Sequence, residues 1–586
     1  MKNKVKEFVY SKIVIAITMA IISIITLIGQ DSLISYNLHT WIIIPILVIF
    51  YNFSIKLDVD EKLKRSSVIF AIIFSFIVVS GRILYLFQND PFKSFWKELF
   101  TIRSLLYLIG NFNLLYCLLI NIIPKLYNIL KIKIVNKNHC KHLNALIVFV
   151  TSFVLIFLGW LPYLLNYFPG TLSPDSFSEL NIIINNFASL SDHHTVAHIL
   201  FIALPFKCGM YLFDNIILAI SLVTITQMII MDLIISYFLK FLYDHKVKIW
   251  ILVITLLYFM LLPLHGFYSI VMWKDVIFAG CVLLLTIESV KMLEKKQITI
   301  KNSISFIIIS IFTIFFRNNA IYMYFIFAIV SLIFFRKYIK TFIIMFLIIF
   351  GVYFGIKGPV FDYFGITKSS SSEYIGMPMQ QIGRMAFKDV QFTEEEKKLI
   401  DELIPLDEMK KSYNPRVSDG IKFNKNYKVE VFDNNKFKYL KLWLQLVIKH
   451  PAIASEAYLT STLGYWYPGV EYWSVASAIY ENDLGIIRTP RINQKVDRII
   501  SGLEDRKTPI INMSWSIGLC FWIVALFAYI GKIRNGIKSL YMFVPVLGIW
   551  LTMMVASPVY AEFRYVYSAF LCLPLLIICS LIVKSK

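Results

Sequence analysis

The sequence predicts an all-α, polytopic membrane protein that carries a smaller mixed, mostly α domain outside the bilayer. Three observations lead there. Of 586 residues, 58% are hydrophobic and only 16% are charged, whereas ordinary soluble domains are about 45–50% apolar and about 25% charged. Several apolar stretches exceed the ~18 residues that begin to cross a hydrocarbon core. Lys and Arg gather in the short connections between those stretches.

About fourteen spans are expected, near 13–29, 39–55, 67–87, 103–123, 145–165, 216–239, 249–264, 276–291, 303–316, 320–335, 341–357, 512–530, 539–556 and 565–583. Cytoplasmic connections of membrane proteins are enriched in Lys and Arg. With the N-terminus in the cytoplasm, alternate connections collect 28 basic residues, against 6 in the short outer loops. Both termini are then cytoplasmic, in a multi-pass protein of the cell membrane. Most of the net charge of +21 is topology, so nucleic acid is not an expected partner.

The division that follows is 1–140, an N-terminal four-helix region; 141–357, a membrane core; 358–511, an extracytoplasmic domain; and 512–586, three last helices. Residues 197–213 are apolar, but counting them as a span inverts every later loop, and Pro205 and Lys207 interrupt them. They are expected to form an amphipathic helix at the outer interface. The N-terminal apolar run has no small-x-small cleavage pattern and is expected to stay in the protein. Cys117, Cys140, Cys208, Cys281, Cys520, Cys572 and Cys579 avoid the outer domain and are expected to be small core residues. In the outer domain, Thr393-Glu-Glu-Glu396 is a capping box, Phe437–His450 is a helix ended by Pro451, and Ser369–Ser372 reads as a linker. The domain has no phosphate-loop, dinucleotide or zinc spacing.

This topology sends four polar segments to one face: 166–196, 265–275, 317–319 and 557–564. Convergence of that kind marks a candidate site. Asp175, in Ser-Pro-Asp-Ser, is its most pointed member. Its carboxylate is ionised at neutral pH and suits a general base, although the same sequence is good helix-capping chemistry. Asp192, His193, His194 and His198 follow. His194 and His198 are four apart and share a helical face, a spacing that suits a metal, a phosphate or a wet groove. No cofactor is certain and a divalent cation stays an open alternative. Lys274 and Asp275 open a span behind Trp273; the lysine is a rare outer cation suited to phosphate, and the aspartate suits a helix N-terminus. Arg317, with Asn318 and Asn319, suits bidentate phosphate recognition. Glu562 and Arg564 can pair with each other. Gln380, Gln381 and Arg384 are further expected contacts in the outer domain. Asp232 and Glu288 are acids inside spans and have no evident link to this face.

At Asp175, at Asp192-His-His194 with His198, and in its many later spans, the chain resembles the GT-C superfamily of membrane glycosyltransferases. It is also similar to a group of uncharacterised bacterial membrane proteins in Tyr167-Phe-Pro-Gly-Thr-Leu-Ser-Pro-Asp-Ser176, Trp273-Lys-Asp275 and Arg317-Asn-Asn319. The resemblance runs from about residue 140 to the C-terminus. It implies a polyprenyl-phosphate-linked sugar donor, a cell-envelope acceptor and membrane lipid as partners, with Asp175 as the base of an inverting transfer. Ser176 stands where the family commonly has a second acid, which leaves metal use open. A lipid-linked glycan polymerase or ligase, and a lipid or polysaccharide transporter, are the alternatives.

Overall fold

The structure, a computed structural model, describes residues 2–30, 38–129, 144–295, 297–367, 375–475, 477–504, 509–556 and 559–583. Among them, ten helices are long and apolar enough to cross a membrane, or eleven if the bent pair Ile249–Leu261 and Pro263–Ile270 is one span. A bilayer core offers backbone groups no water, so spanning segments must close their hydrogen bonds within themselves. That is why long apolar runs become helices here, and by length and composition they make the chain a multi-pass, all-helical membrane protein. All fourteen expected segments are helical. Two of them, Ile300–Phe316 and Ala320–Phe334, are shorter than the length test requires. The expected linker 369–372, Cys140 and most of the basic connection 125–141 lie outside the described residues.

Val196–Phe213 passes the length and hydropathy test. Its packed face holds Ile199, Ile202 and Phe206, and its exposed face holds Leu200, Leu204, Tyr211 and Leu212. Lys207 is on the exposed face too, so the expected amphipathic pattern is present only weakly: one cation among exposed apolar side chains. Cys208, in the same helix, is exposed, unlike the other described cysteines, which are buried.

Packing divides the chain into two compact units: Met1–Lys133 with Tyr374–Val470 and Pro558–Tyr560, and Ile134–Glu373 with Glu471–Ser557 and Ala561–Lys586. In the first unit, Ser23 Oγ and Tyr51 OH lie 2.6 Å apart, and Asn121 donates to Ser54 Oγ at 2.7 Å, which ties the N-terminal helices together through polar contacts. Residues 375–470 form a helical layer around Met379, Met385, Ile404, Leu442 and Leu446. The Thr393–Glu396 capping box starts the helix Glu394–Leu403. Pro451 separates Lys436–Lys449 from a further helix, Pro451–Ser461, in which it takes the first position, where its missing N–H costs nothing.

Gln380, Gln381 and Arg384 are buried in this layer. Arg384 meets Glu456 at 2.5 Å and donates to the Gln88 carbonyl at 2.5 Å, and Lys388 meets Glu456 at 2.8 Å. Gln381 takes a 2.6 Å hydrogen bond from Trp443. All three are engaged in hydrogen bonds within the unit's own packing.

In the second unit, Lys274–Glu294 is the central helix, with 89% of its most apolar window buried. Gly209 lets Val196–Phe213 approach Ile216–Asp244 closely: a Cβ there would lie 2.6 Å from Ala219 Cα. A cluster of Leu172, Phe177, Leu180, Ile199, Phe206, Val223 and Met272 then fuses these helices with Pro174–Ile184.

Replacing Arg384 with Met leaves a buried carboxylate without one of its two cations. The expected loss is about 3–5 kcal/mol, read as a lower thermal unfolding midpoint of the purified protein. Adding Glu456→Gln is expected to restore part of it.

Candidate functional site

The site begins with a backbone frame. The Thr171 N–H donates to the Ile270 carbonyl at 3.1 Å, and the Met272 N–H donates to Thr171 at 3.2 Å. On the other side, the Leu172 N–H donates to Ala478 at 3.2 Å, and Tyr480 donates back at 3.1 Å. Residues 170–172 are thus gripped between two extended segments. Gly170 has φ +139°, a conformation that L side chains avoid. Ser173 then caps the helix Pro174–Ile184 in a reciprocal box with Ser176. Ser176 Oγ is anchored on the Met272 carbonyl at 2.8 Å, and the Trp273 indole donates to Ser173 Oγ at 2.7 Å. Asp175 follows in the first turn of this helix, where the capping reading expects it.

Arg564 donates from Nη1 to Asp175 Oδ2 at 2.6 Å. Asp175 Oδ1 has no hydrogen bond among the described residues, and the side chain is 40% exposed. Burial pushes the Asp175 pKa up, but the Arg564 and Lys274 charges outweigh it and hold the carboxyl below its ordinary value. Lys274 makes no ion pair within 4 Å among the described residues, yet its charge acts on Asp175, Asp192 and His194 alike.

Arg564 is fixed on three sides. Its guanidinium lies 5.1 Å from the Trp273 ring and 5.1 Å from the Tyr565 ring, and Nε is 3.3 Å from Glu562. The expected Glu562–Arg564 pair is present, but Asp175 has the shorter contact. Burial pushes Glu562 up to about 8, against Arg564, and the nearby Asp275 and Asp175 charges add to the rise. Glu562 is therefore mostly protonated at neutral pH. Arg317 also lies against Tyr565, 4.5 Å from its ring centre. It donates to the Tyr565 carbonyl at 2.8 Å and lies 3.2 Å from Asp275. With Glu562 neutral, the cations Lys274, Arg317 and Arg564 face two carboxylates, Asp175 and Asp275. The balance is one positive charge.

The histidine segment sits beside this cluster. The helix begins at Val196, so His194 lies in the preceding loop and does not share a helical face with His198, as expected from their spacing. Both turn to Glu179 instead: His198 Nδ1 is 2.7 Å and His194 Nδ1 3.9 Å from its carboxylate. Burial, then the Lys274 charge, pushes His194 down to about 4 against the pull of Glu179 and Asp175; the ring is neutral at pH 7. His193 is exposed. Asp192 is buried against Lys357, which bonds its carboxylate at 2.6 and 2.5 Å and the Asn318 side-chain oxygen at 2.6 Å. Asn318 donates back to the Asp192 carbonyl at 2.8 Å.

The expected residues from all four connections are therefore brought to one end of the second unit. Asp175 and Glu562 both contact Arg564, Arg317 and Arg564 both lie against Tyr565, and the Lys274 charge acts on both Asp175 and Asp192. His265 is not with them: it is buried 3.0 Å from Tyr567 OH. Asp232 bonds Ser236 at 3.2 Å, and Glu288 pairs with Lys291 at 2.7 Å. Among the described residues no group of three His, Cys, Asp or Glu side chains could hold a metal ion. The sequence reading missed Glu179 and Lys357. A second acid one helical turn after Asp175 was the available signal for the first, and a cation at the outer end of a span was the signal for the second.

A model of a family of unknown function (DUF6020) matches residues 182–586. No curated protein and no solved structure matches the chain.

Lys357→Met would leave Asp192 buried without a cation, at an expected cost of about 3 kcal/mol. Hydrogen exchange should quicken in 190–196 and 317–320, and adding Asp192→Asn should slow it again. Unchanged exchange in the single variant would show that the pair does not anchor this segment.

Proposed function

We propose that this chain, which belongs to DUF6020, a family of unknown function, is a GT-C-type glycosyltransferase. It transfers a sugar from a polyprenyl-phosphate donor to a cell-envelope acceptor at the outer face of the membrane. The observation that supports this reading best is Asp175. Two cations keep its carboxyl ionised, one oxygen is engaged by Arg564, and the other is unbonded on a part-exposed edge.

In this mechanism an acceptor hydroxyl donates its hydrogen bond to Asp175 Oδ1. Its oxygen attacks the anomeric carbon and its proton passes to Asp175. The bond from the anomeric carbon to the phosphate oxygen breaks, and the phosphate leaves with the electron pair, inverting the centre. Lys274 and Arg564, in a cluster with one surplus positive charge, take up the charge that develops on the phosphate; preorganised electrostatics is commonly the largest catalytic contribution. Neutral His194 contacts the donor or acceptor as a hydrogen-bonding group. The donor's apolar chain lies along the membrane helices.

A glycan polymerase or ligase would use the same donor chemistry and the same base. The transporter reading rests on Asp232, whose Oδ2 is buried without a hydrogen bond in the middle of a span; abolished lipid transport in Asp232→Asn, with Asp175→Asn silent, would favour it.

The test is release of polyprenyl phosphate from lipid-linked sugars by the purified chain in lipid nanodiscs. Asp175→Asn is expected to lose about 10²–10⁴-fold in rate, and a folded Asp175→Asn protein with full activity would refute the assignment. The pH profile gives a second reading. Asp175 serves as base only above its own pKa, which lies below the ordinary carboxylate range, so activity should persist into mild acid. Arg564→Gln removes a charge that favours the ionised form. The acid limb of its remaining activity should move to higher pH.

A further inference from the structure

The helices Ile216–Asp244 and Lys274–Glu294 end side by side at the pole of the second unit where neither Asp175 nor its partners lie. Between their last turns is an open cavity of about 350 Å³, whose lining includes Tyr237, Lys240, Phe241, His245, Lys291 and Lys295. Three ammonium groups in one cleft are more than helix C-termini call for, although such ends do favour cations. Part of this charge is answered inside the protein. Lys240 bonds Asp244 at 2.7 Å, Lys291 bonds Glu288 and the Tyr237 hydroxyl at 2.7 Å each, and His245 bonds Glu294 at 2.8 Å. The two acids that line the cavity, Asp244 and Glu294, are thus already engaged. Each ammonium has three donors, so Lys240 and Lys291 keep some to offer. Lys295 is exposed and has no ion pair among the described residues.

The walls beside the cations are apolar. Tyr237 and Phe241 line the cleft, and Lys291 lies 5.3 Å from the Tyr237 ring centre. One turn from Tyr237 towards the middle of the helix, Leu233 is exposed, and Ile249, Trp250, Val253 and Ile254 open the next helix with a further exposed apolar face. Charge at the mouth and apolar surface running away along the helices match an amphiphile better than a free ion.

We propose that this cavity binds the phosphate headgroup of an anionic membrane lipid, with Lys240, Lys291 and Lys295 on the phosphate and the acyl chains along Leu233 and Trp250. The site shares no residue with the Asp175 cluster and does not depend on the transferase reading.

Native mass spectrometry of the full chain in detergent tests it, with phosphatidylglycerol, phosphatidylcholine and inorganic phosphate as probes. One phosphatidylglycerol should bind at concentrations where phosphatidylcholine does not. Lys295→Gln, which breaks no internal pair, should weaken that binding about fivefold, whereas Lys93→Gln in the first unit should leave it unchanged. Equal binding of the two lipids, no effect of Lys295→Gln, or an equal effect of Lys93→Gln would overturn the proposal. Displacement of the lipid by millimolar inorganic phosphate would overturn it too, in favour of a free-phosphate site.

Discussion

A carboxylate at the end of an apolar helical bundle has to find a cation, and that of Asp175 lies 389 residues away at Arg564. The Asp175 side chain is 40% exposed, but Arg564 and Glu562 are largely buried, and buried charges are costly to leave alone. The contact therefore fastens the loop after one membrane helix to the entry of the last one. Arg564 can serve only because it is held against Trp273 and Tyr565, and Trp273 in turn caps the segment that carries Asp175 through Ser173. The ion pair, the aromatic clamp and the backbone frame support one another.

The same contacts set the electrostatics. Two guanidiniums lie against the Tyr565 ring, and Glu562 beside Arg564 is pushed toward its neutral form by burial. The surplus of positive charge follows from that protonation. In the proposed reaction it attracts the phosphate and later stabilises it as the leaving group, while Asp175 stays ionised because the same cations hold it so. A second acid beside Asp175 would raise its pKa by like-charge repulsion. Ser176 instead locks the helix start, and the neighbouring charges come from distant parts of the chain.

Much of the helical layout was legible because apolar length and backbone hydrogen bonding leave a spanning segment few options. The capping box at Thr393 was legible because it is local. The convergence of the four polar connections followed from counting helices against charge. What escaped was pairing at long range. Lys357 read as the last residue of a span, yet it anchors Asp192. Arg384 read as a surface contact in a domain rich in charge, yet it is buried against Glu456. His194 and His198 read as one helical face, but Thr195 caps the helix between them, and only Glu179 reunites them. Periodicity gives the direction of a side chain within its own element and says nothing of which distant element it meets.

The central claim is that the donor phosphate sits between Asp175, Lys274 and Arg564. Photo-crosslinking with a polyprenyl phosphate that carries a diazirine near its phosphate, followed by peptide mapping, addresses it directly. The account predicts labels in the peptides holding residues 173–177, 192–195, 273–275 and 562–565, with competition by unlabelled polyprenyl phosphate. Specific labelling confined to other segments, such as the Asp232 region of the helix Ile216–Asp244, would contradict it.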